Sequence, residues 1–494
     1  MRFLAAVAAC VIAPLAQGAV FEVNSTTDAV DAALGDGTCA TATSTCTLRA
    51  AIQEANALAG ADLVRLPAGT YALTLAGANE DASASGDLDI SSELLIVGAG
   101  PDTTIVQGNG ADRVFDIGSG AVASLAAVSV RGGGGVDLGG GIRNAGALAI
   151  EACRVEQNGG EGSLAVRLGG GIANTGTLAI TGCALRDNQA GASSGQRAIG
   201  AQGGALYNLL ITAINASRIE NNRVVGAASG GNAGGGVFMN SPAVTQIAIS
   251  HLQGNSAPQG GAIAMLGGEL LLNASALLQN ASTNDGGALR LAGGTATAVN
   301  ATFSGNTANA HGGAIALAAG SADLRNVTIT QNQANADAAG SGDGGGVYLS
   351  SGTLSARNSL VHGNLDAGSG NRHVDCSGAM SSVGYLWLGD ATGCVLTAGE
   401  GDQVGVDPLL GALADNGGAT LSHALPIGSP AIDAGNPAGC LGTQDLPLRL
   451  DQRQRLRPVD GNGDGSARCD VGAFELIPQQ IFPSGFEATE ARLP

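Results

Sequence analysis

The sequence predicts an all-β protein. The fold class is a single-stranded, right-handed parallel β-helix with about three short strands per coil, an N-terminal capping helix and a C-terminal irregular β/loop cap. Three observations predict it. The first is repetition. Between Gly139 and Asn364, eight copies of one pattern open on Gly-Gly-(Gly/Ala) plus an aliphatic residue: Ile142, Ile172, Leu206, Val237, Ile263, Leu289, Ile315 and Val347. Each closes on an Asn: Asn158, Asn188, Asn222, Asn255, Asn280, Asn306, Asn332 and Asn364. That separation is 16 to 18 residues throughout, while the stretch from each Asn to the next Gly-Gly varies widely. A constant half and a variable half mark a solenoid whose insertions leave from one corner.

The second observation is alternation. Eight, five and three residues before the closing Asn stand Ile150/Cys153/Val155, Ile180/Cys183/Leu185, Ile214/Ser217/Ile219, Ile247/Ser250/Leu252 and Leu272/Ser275/Leu277. The odd step from eight to five predicts a bend between two short strands of period two. Three consecutive copies repeat every 26 residues, which suits about three strands of 4–6 residues plus turns. The third is composition: 81 Gly and 3% aromatic residues fit tight corners and a narrow bore. In such a stack equivalent strands lie ~4.8 Å apart, so like residues pile up. Paired glycines permit positive φ. Asn tolerates left-handed backbone and can bond to the Asn above and below it. The right hand follows from the general crossover rule.

The elements follow in order. Residues 1–19 read as a secretory signal: Arg2 gives the positive start, Phe3 to Leu15 is apolar, and Ala16-Gln17-Gly18 or Gln17-Gly18-Ala19 offers small residues for cleavage. A rival reading makes Val7-Ala8-Ala9-Cys10 a lipoprotein box. Residues 20–60 hold a strand-like Val20-Phe21-Glu22-Val23 and a helix that places Leu48, Ala51, Ile52, Ala55 and Leu58 on one face. That helix is expected to cover the open bore and blunt the first edge. Residues 61–138 form the first, irregular coils and 139–364 the regular ones. Irregular end coils occupy 365–406, a C-terminal region 407–475, and a tail 476–494. No run is apolar enough to span a membrane as a helix.

The net charge is −19 and every one of the 22 basic residues is Arg. An acidic surface argues against nucleic-acid and anionic-membrane partners. It favours solubility and divalent cations. Without Cys10, eight cysteines remain, an even number in an exported chain. Local pairs suggest themselves: Cys39–Cys46, Cys376–Cys394 and Cys440–Cys469. Cys153 and Cys183 stand five residues before the Asn in consecutive coils, so stacking puts their Cα atoms near disulfide range. The competing reading makes them reduced, buried small hydrophobes.

Cys46-Thr47-Leu48-Arg49-Ala50-Ala51-Ile52 resembles the CSLREA module at the start of many exported bacterial β-helix proteins, departing at Thr47 and Ala50. Leu66-Pro67-Ala68-Gly69-Thr70-Tyr71, Gly86-Asp87-Leu88-Asp89-Ile90, Gly98-Ala99-Gly100 and Asp112-Arg113-Val114-Phe115 also look like that family. The regular coils resemble those of polymorphic outer-membrane proteins, which are adhesins. Asp407-Pro408-Leu409-Leu410, Gly428-Ser429-Pro430-Ala431-Ile432-Asp433-Ala434-Gly435, Asp451-Gln452-Arg453, Arg457-Pro458 and Cys469-Asp470-Val471-Gly472-Ala473-Phe474-Glu475 resemble the choice-of-anchor Q region. Ile481-Phe482-Pro483-Ser484-Gly485-Phe486-Glu487 is similar to a short ending of some exported proteobacterial proteins. These likenesses imply architecture and export. They imply no shared reaction.

Candidate chemistry is sparse. Asp460-Gly461-Asn462-Gly463-Asp464-Gly465 spaces oxygen side chains like the start of a calcium loop. Arg468 and Val471 stand where later ligands would fall, and Asp470 comes one early. Asp460, Asn462, Asp464 and Asp470 are thus the candidate calcium ligands, in a stabilising role. A turn rich in Asp and Gly accounts for the same residues. β-Helices of this type also host pectate-lyase-like and polygalacturonase-like enzymes, which need clustered carboxylates. Glu156, Asp187 and Glu220, with Arg154, Arg186 and Arg218, form a charged patch over three coils: either a catalytic cluster or interleaved surface ion pairs. His251, His311, His362, His373 and His423 lack metal spacing. Tyr207, Phe238 and Tyr348 follow Gly-Gly corners, where they line a sugar-binding face or pack the corner.

The sequence is therefore read as an exported, monomeric rod, secreted or on a bacterial cell surface, that binds a glycan or extracellular-matrix ligand as adhesins do. Calcium is the one cofactor it suggests. The alternatives are a polysaccharide lyase or glycoside hydrolase on the same scaffold, and a structural envelope or matrix protein.

Overall fold

The computed structural model describes residues 17–478, except 79, 161–164, 193–198, 228, 230, 341 and 369–371. The signal core with Cys10, and the Ile481–Glu487 ending, lie outside the described residues. The chain forms a parallel β-solenoid of about 11 turns. A typical regular coil runs through a three-residue strand (Ile142–Asn144), a five-residue strand (Ala147–Glu151) and a second three-residue strand (Arg154–Glu156); in two coils the first two run together as Leu289–Val299 and Ile315–Arg325. These make the first, second and third faces. From Gln189–Gly191 onward a fourth short strand follows the closing Asn, building a sheet of seven. The three expected faces are present, and this short pairing is added to them over part of the rod.

Register is strict. Ile142, Ile172, Leu206, Val237, Ile263, Leu289, Ile315 and Val347 form one unbroken column. All but Leu289, at 3%, are 0% exposed. The expected bend lies six residues before the Asn, where Ala152, Gly182, Ala216, Ile249, Ala274, Asn300, Asn326 and Asn358 all have φ between 47 and 62°. A second left-handed residue precedes the Asn itself: Gln157, Asp187, Asn221, Gly254, Gln279, Gly305, Gln331 and Gly363. The closing Asn residues are not left-handed, contrary to expectation. The residue before them absorbs the turn, and the Asn supplies its side chain.

That side chain makes a ladder. Each Asn Oδ1, from Asn188 to Asn364, accepts from both the backbone N–H and the Nδ2 of the Asn one coil earlier, at 2.8–3.1 Å. The second Nδ2 hydrogen goes to a carbonyl of the preceding coil, such as Val155, Leu185 or Ile219. Asp375 ends the ladder by accepting from Asn364 N and Nδ2. Asn144, Asn174 and Asn208 make a shorter ladder that ends on Thr245.

The small position five residues before the Asn is a further column. Cys153 N donates to Cys183 Sγ, Cys183 N to Ser217 Oγ, Ser217 N to Ser250 Oγ, and Ser250 N to Ser275 Oγ. Cys153 and Cys183 are free thiols, so the disulfide reading is corrected. Stacked residues hold their Cα–Cβ bonds parallel, which keeps the Cβ atoms one strand spacing apart, ~4.8 Å. A disulfide needs ~3.5–4.5 Å. The three local pairs do form, with Cα–Cα distances of 5.1, 5.6 and 5.4 Å.

At the N-terminal end β1 (Gln17–Glu22) pairs with β2 (Ala61–Leu66), and helix α1 (Leu48–Ala57) lies over the bore. Thr47 caps α1 by accepting from Ala50 N. Leu48, Ala51, Ile52 and Ala55 are its buried face. Arg49 is also buried: it pairs with Asp28 at 2.6 Å and donates to the carbonyls of Ser83, Gly86 and Asp87.

The C-terminal region is irregular, as expected, and runs back along the third face. Thr420 reaches Ala274, His423 reaches Ser304, Gln452 reaches Thr302, and Asn358 reaches Asp470. Leu425, Ala431, Ile432, Val471 and Phe474 pack on Leu360 and Trp387. This strap buries Thr302, Ser304, Thr328 and Leu360, which otherwise point outward.

Replacing Asn255 with Ala removes the acceptor for two N–H groups of Asn222 inside the bore. The expected loss is about 3 kcal/mol, read from the urea midpoint. Cys153→Ser, by contrast, puts into the column the residue that Ser217 and Ser250 already supply. It should change stability by less than about 1 kcal/mol.

Candidate functional site

The chain departs from its regular coil just before Gly-Gly, so side chains at that corner are the ones that insertions can enclose. Two outward columns meet there. One holds the residues ahead of the glycines: Asp285, His311 and Asp343. Their carbonyls accept from Gly260, Gly286 and Gly312 of the coils before. The other holds the middle residues of the first-face strands: Ala264, Arg290, Ala316 and Tyr348, in register. These point outward because the aliphatic residue on one side points in.

Together the columns gather a cation, two carboxylates, an imidazole and a phenol. The His311 and Tyr348 rings stack with centroids 4.1 Å apart. Asp343 N donates to His311 Nδ1 at 3.1 Å, which leaves the proton of the neutral ring on Nε2. His373 Nδ1 stands 2.9 Å from Asp343 Oδ1, without the alignment of a hydrogen bond. Asp285 accepts from His311 N and Asn284 Nδ2. Arg290 is partly buried, its Nε has no partner, and it forms no ion pair among the described residues. Burial lowers its pKa and Asp285 opposes this only in part. Burial raises the Tyr348 phenol, helped by Asp285 and Asp343. Such a corner can stack a flat sugar face, hydrogen-bond hydroxyls and pair an anion.

The other corner rings do not share this. Tyr207 and Phe238 stack at 5.6 Å but are buried with Ala173, Ala233 and Ala264 against Leu138, Leu168 and Leu209. They pack the corner.

The charged patch is an ion-pair stripe. Arg186 pairs with Glu156 at 2.6 Å, Arg218 with Glu220 at 3.8 Å, and Arg154 with Asp102. Glu156 is buried and also accepts from Ser129. Asp187 is one of the left-handed turn residues. The patch brings no set of unengaged carboxylates together.

In the Asp460 loop the carboxylates accept from the loop's own N–H groups: Asp460 from Gly463, Asp464 and Gly465, and Asp464 from Ser466. Asn462 accepts from Asp464 N. Asp470 does not join them. It is buried and accepts from Asp433 N and Leu476 N. It belongs to a network with Arg457, which pairs with Glu475 at 3.2 Å, and with Arg453, which pairs with Asp451 at 2.8 Å and lies 3.6 Å over Phe474. Arg457 also reaches Asn300 on the rod. The residues likened to choice-of-anchor Q are thus the fastening of the strap.

Sequence reasoning missed a second acidic group. Oxygens of Asp87, Asp89 and Asp116 lie within 4.8 Å of one another, close enough to share a cation. Arg113 already stands among them, pairing with Asp87 at 3.0 Å and Asp116 at 2.7 Å. Arg143 also pairs with Asp116. Burial pushes Asp87 up to about 8, with Asp89 and Asp112 adding and Arg113 opposing. Burial pushes Asp89 up to about 7. At 0, 5 and 4% exposure these carboxyls cannot reach a saccharide. The signal was register: Asp89 stacks on Asp116, in coils that lack the Gly-Gly and Asn anchors.

Comparison with known proteins gives one similarity of fold. The crystal structure of pectate lyase Pel9A aligns over 94% of this chain and 98% of that chain, with a TM-score of 0.42 and 13% identity. At that distance it bears on neither activity nor substrate. No family model matches the chain, and no curated protein matches it.

Asp87, Asp89 and Asp470 have folded-state pKa values raised to about 8, 7 and 8, chiefly by burial. Raised carboxyls hold protons that the unfolded chain has released, so stability falls as pH rises through these values. His251 and His423, lowered by burial, act in the opposite sense below about pH 6.5. Urea midpoints are therefore expected to decline from about pH 6.5 to 8.5, and Asp87→Asn should flatten that decline.

Proposed function

We propose that the protein is an exported β-helix rod that binds a glycan or matrix polymer at the insertion corner around Arg290, His311 and Tyr348. The observation that carries this reading is Arg290. A partly buried guanidinium with an unpartnered Nε stands in register on the column that ends in the Tyr348–His311 stack. Desolvated cations are stabilised by an anionic partner, and stacked rings suit a sugar face. An acidic saccharide supplies both. Three disulfides, and the lack of any described helix long and apolar enough to cross a membrane, are compatible with export. Repetition supports an adhesin-like role, since it extends one surface along the rod.

The enzymatic alternative has one specific observation in its favour. Asp285 and Asp343 flank His311 in one column, about 10 Å apart at two strand spacings, near the upper limit of an acid–base carboxylate pair. Binding and turnover are separable in one experiment. Binding of neutral and uronic-acid oligosaccharides should favour the acidic ones. Arg290→Ala and a paired His311→Ala/Tyr348→Ala variant should each weaken it about 10–100-fold at unchanged Tm. Release of reducing ends or unsaturated products in the same mixtures, lost with Asp285→Asn or Asp343→Asn, would establish the lyase or hydrolase instead. No binding by any variant or by the wild type would leave a structural rod.

A further inference from the structure

Asp62 does not fit its surroundings. It occupies an inward position of β2 with Val64 and Leu66, and is 2% exposed. Its column continues as Leu94, Ala123, Leu148 and Leu178 in the next four coils. A carboxylate at the head of an apolar column needs a counter-charge, or donors for both oxygens. Some buried acid side chains have a counter-charge: Asp28 has Arg49, Asp116 has Arg113, Asp451 has Arg453 and Glu475 has Arg457. Others have a donor on each oxygen: Glu54 accepts from Gly35 N and Gly37 N, and Asp375 from Asn364 Nδ2 and Asp390 N. Asp62 has no cation among the described residues. Its Oδ1 accepts a single hydrogen bond, 2.6 Å from the backbone nitrogen of Ala19, and its Oδ2 has no partner.

Ala19 is also where the sequence changes character. Ala16 and Gly18 put small residues at the two positions that signal cleavage requires, with Ala19 next. Pairing of β1 with β2 is irregular between Gln17 and Val20 and becomes regular from Val20↔Leu63 onward. The geometry points to a processing site at the Gly18–Ala19 bond, where maturation creates an α-ammonium on Ala19 that is the counter-ion of Asp62. The step is hydrolysis by an export-coupled peptidase. Water adds to the Gly18 carbonyl, the C–N bond breaks, Gly18 leaves as a carboxylate, and the Ala19 nitrogen takes up a proton. The nitrogen is already in place. As a peptide N–H it offers one donor and no charge. As an ammonium it offers three donors and a full charge, enough for Oδ2 as well. Cleavage one residue later, after Ala19, would remove that nitrogen and leave Asp62 buried without a partner.

The chain contains no lysine, so the α-amine of the mature protein is its sole primary amine and amine-reactive reagents report on it alone. The full-length precursor, exported by a host and purified from the medium or periplasm, should begin at Ala19 by N-terminal sequencing and intact mass. Acylation of that amine by an N-hydroxysuccinimide ester should be at least about tenfold slower in the folded protein than in urea. Asp62→Asn should remove the protection. One extra Gly ahead of Ala19 turns the ammonium into an amide, and should lower Tm by about 2–4 °C in the wild type but not beside Asp62→Asn. A first residue other than Ala19 would overturn the inference. Equal labelling of folded and unfolded chains would overturn it too, as would an extension without effect. Should Asp62→Asn fail to fold, the labelling ratio and the extension in the wild-type chain decide the matter alone.

Discussion

The structure rests on one interaction: an amide side chain that repeats its hydrogen bonds from coil to coil inside the bore. Each closing Asn satisfies a backbone N–H, a side-chain amide and a carbonyl at a turn that would otherwise bury them unpaired. That is why the turn can be tight, why its neighbour can be left-handed whether Gln, Asp, Asn or Gly, and why the coil length is nearly fixed. A polar ladder of this kind is stable only if complete, because a missing rung strands donors on one side and acceptors on the other. The Cys/Ser column repeats the principle with one hydroxyl or thiol per coil. The aliphatic column fills the space between them.

Much of this was legible. The Gly-Gly and Asn anchors fixed register, and the step from Ile150 to Cys153 located a bend that the backbone makes at Ala152. What was not legible has physical causes. The left-handed positions carry Ala, Ile or Asn, because stacking overrides the intrinsic cost, so no residue type marks them. Whether Cys153 and Cys183 bond depends on Cβ direction, which spacing does not encode. The strap's polar contacts with the rod reach across 88 to 168 residues, such as Arg357 to Asp445 and His251 to Ala419. No periodicity relates those partners.

The candidate site was hidden for a different reason. Columns counted backward from the Asn lead to the third face, where Glu156 and Arg186 pair with each other. Asp285, His311 and Asp343 are found only by counting from the glycines, and Arg290 and Tyr348 only by counting one past the aliphatic residue. His311 and Tyr348 were each noticed singly, as a scattered imidazole and a corner ring. Their meeting at 4.1 Å depends on a one-rung offset that becomes visible once the coils are stacked.

The direction of the ladder has a consequence of its own. Every link donates toward the C-terminal end and accepts from the N-terminal side, and the last acceptor is a carboxylate, Asp375. The two ends are therefore chemically unlike, while the interior links are interchangeable. Length becomes a modular variable: a 26-residue unit such as Val237 to Ala262 can be duplicated or lost with the donors and acceptors of the Asn ladder still matched. Neither the helix-covered entrance nor the anionic terminus would register the change. A chain built this way can vary its reach without redesigning either extremity.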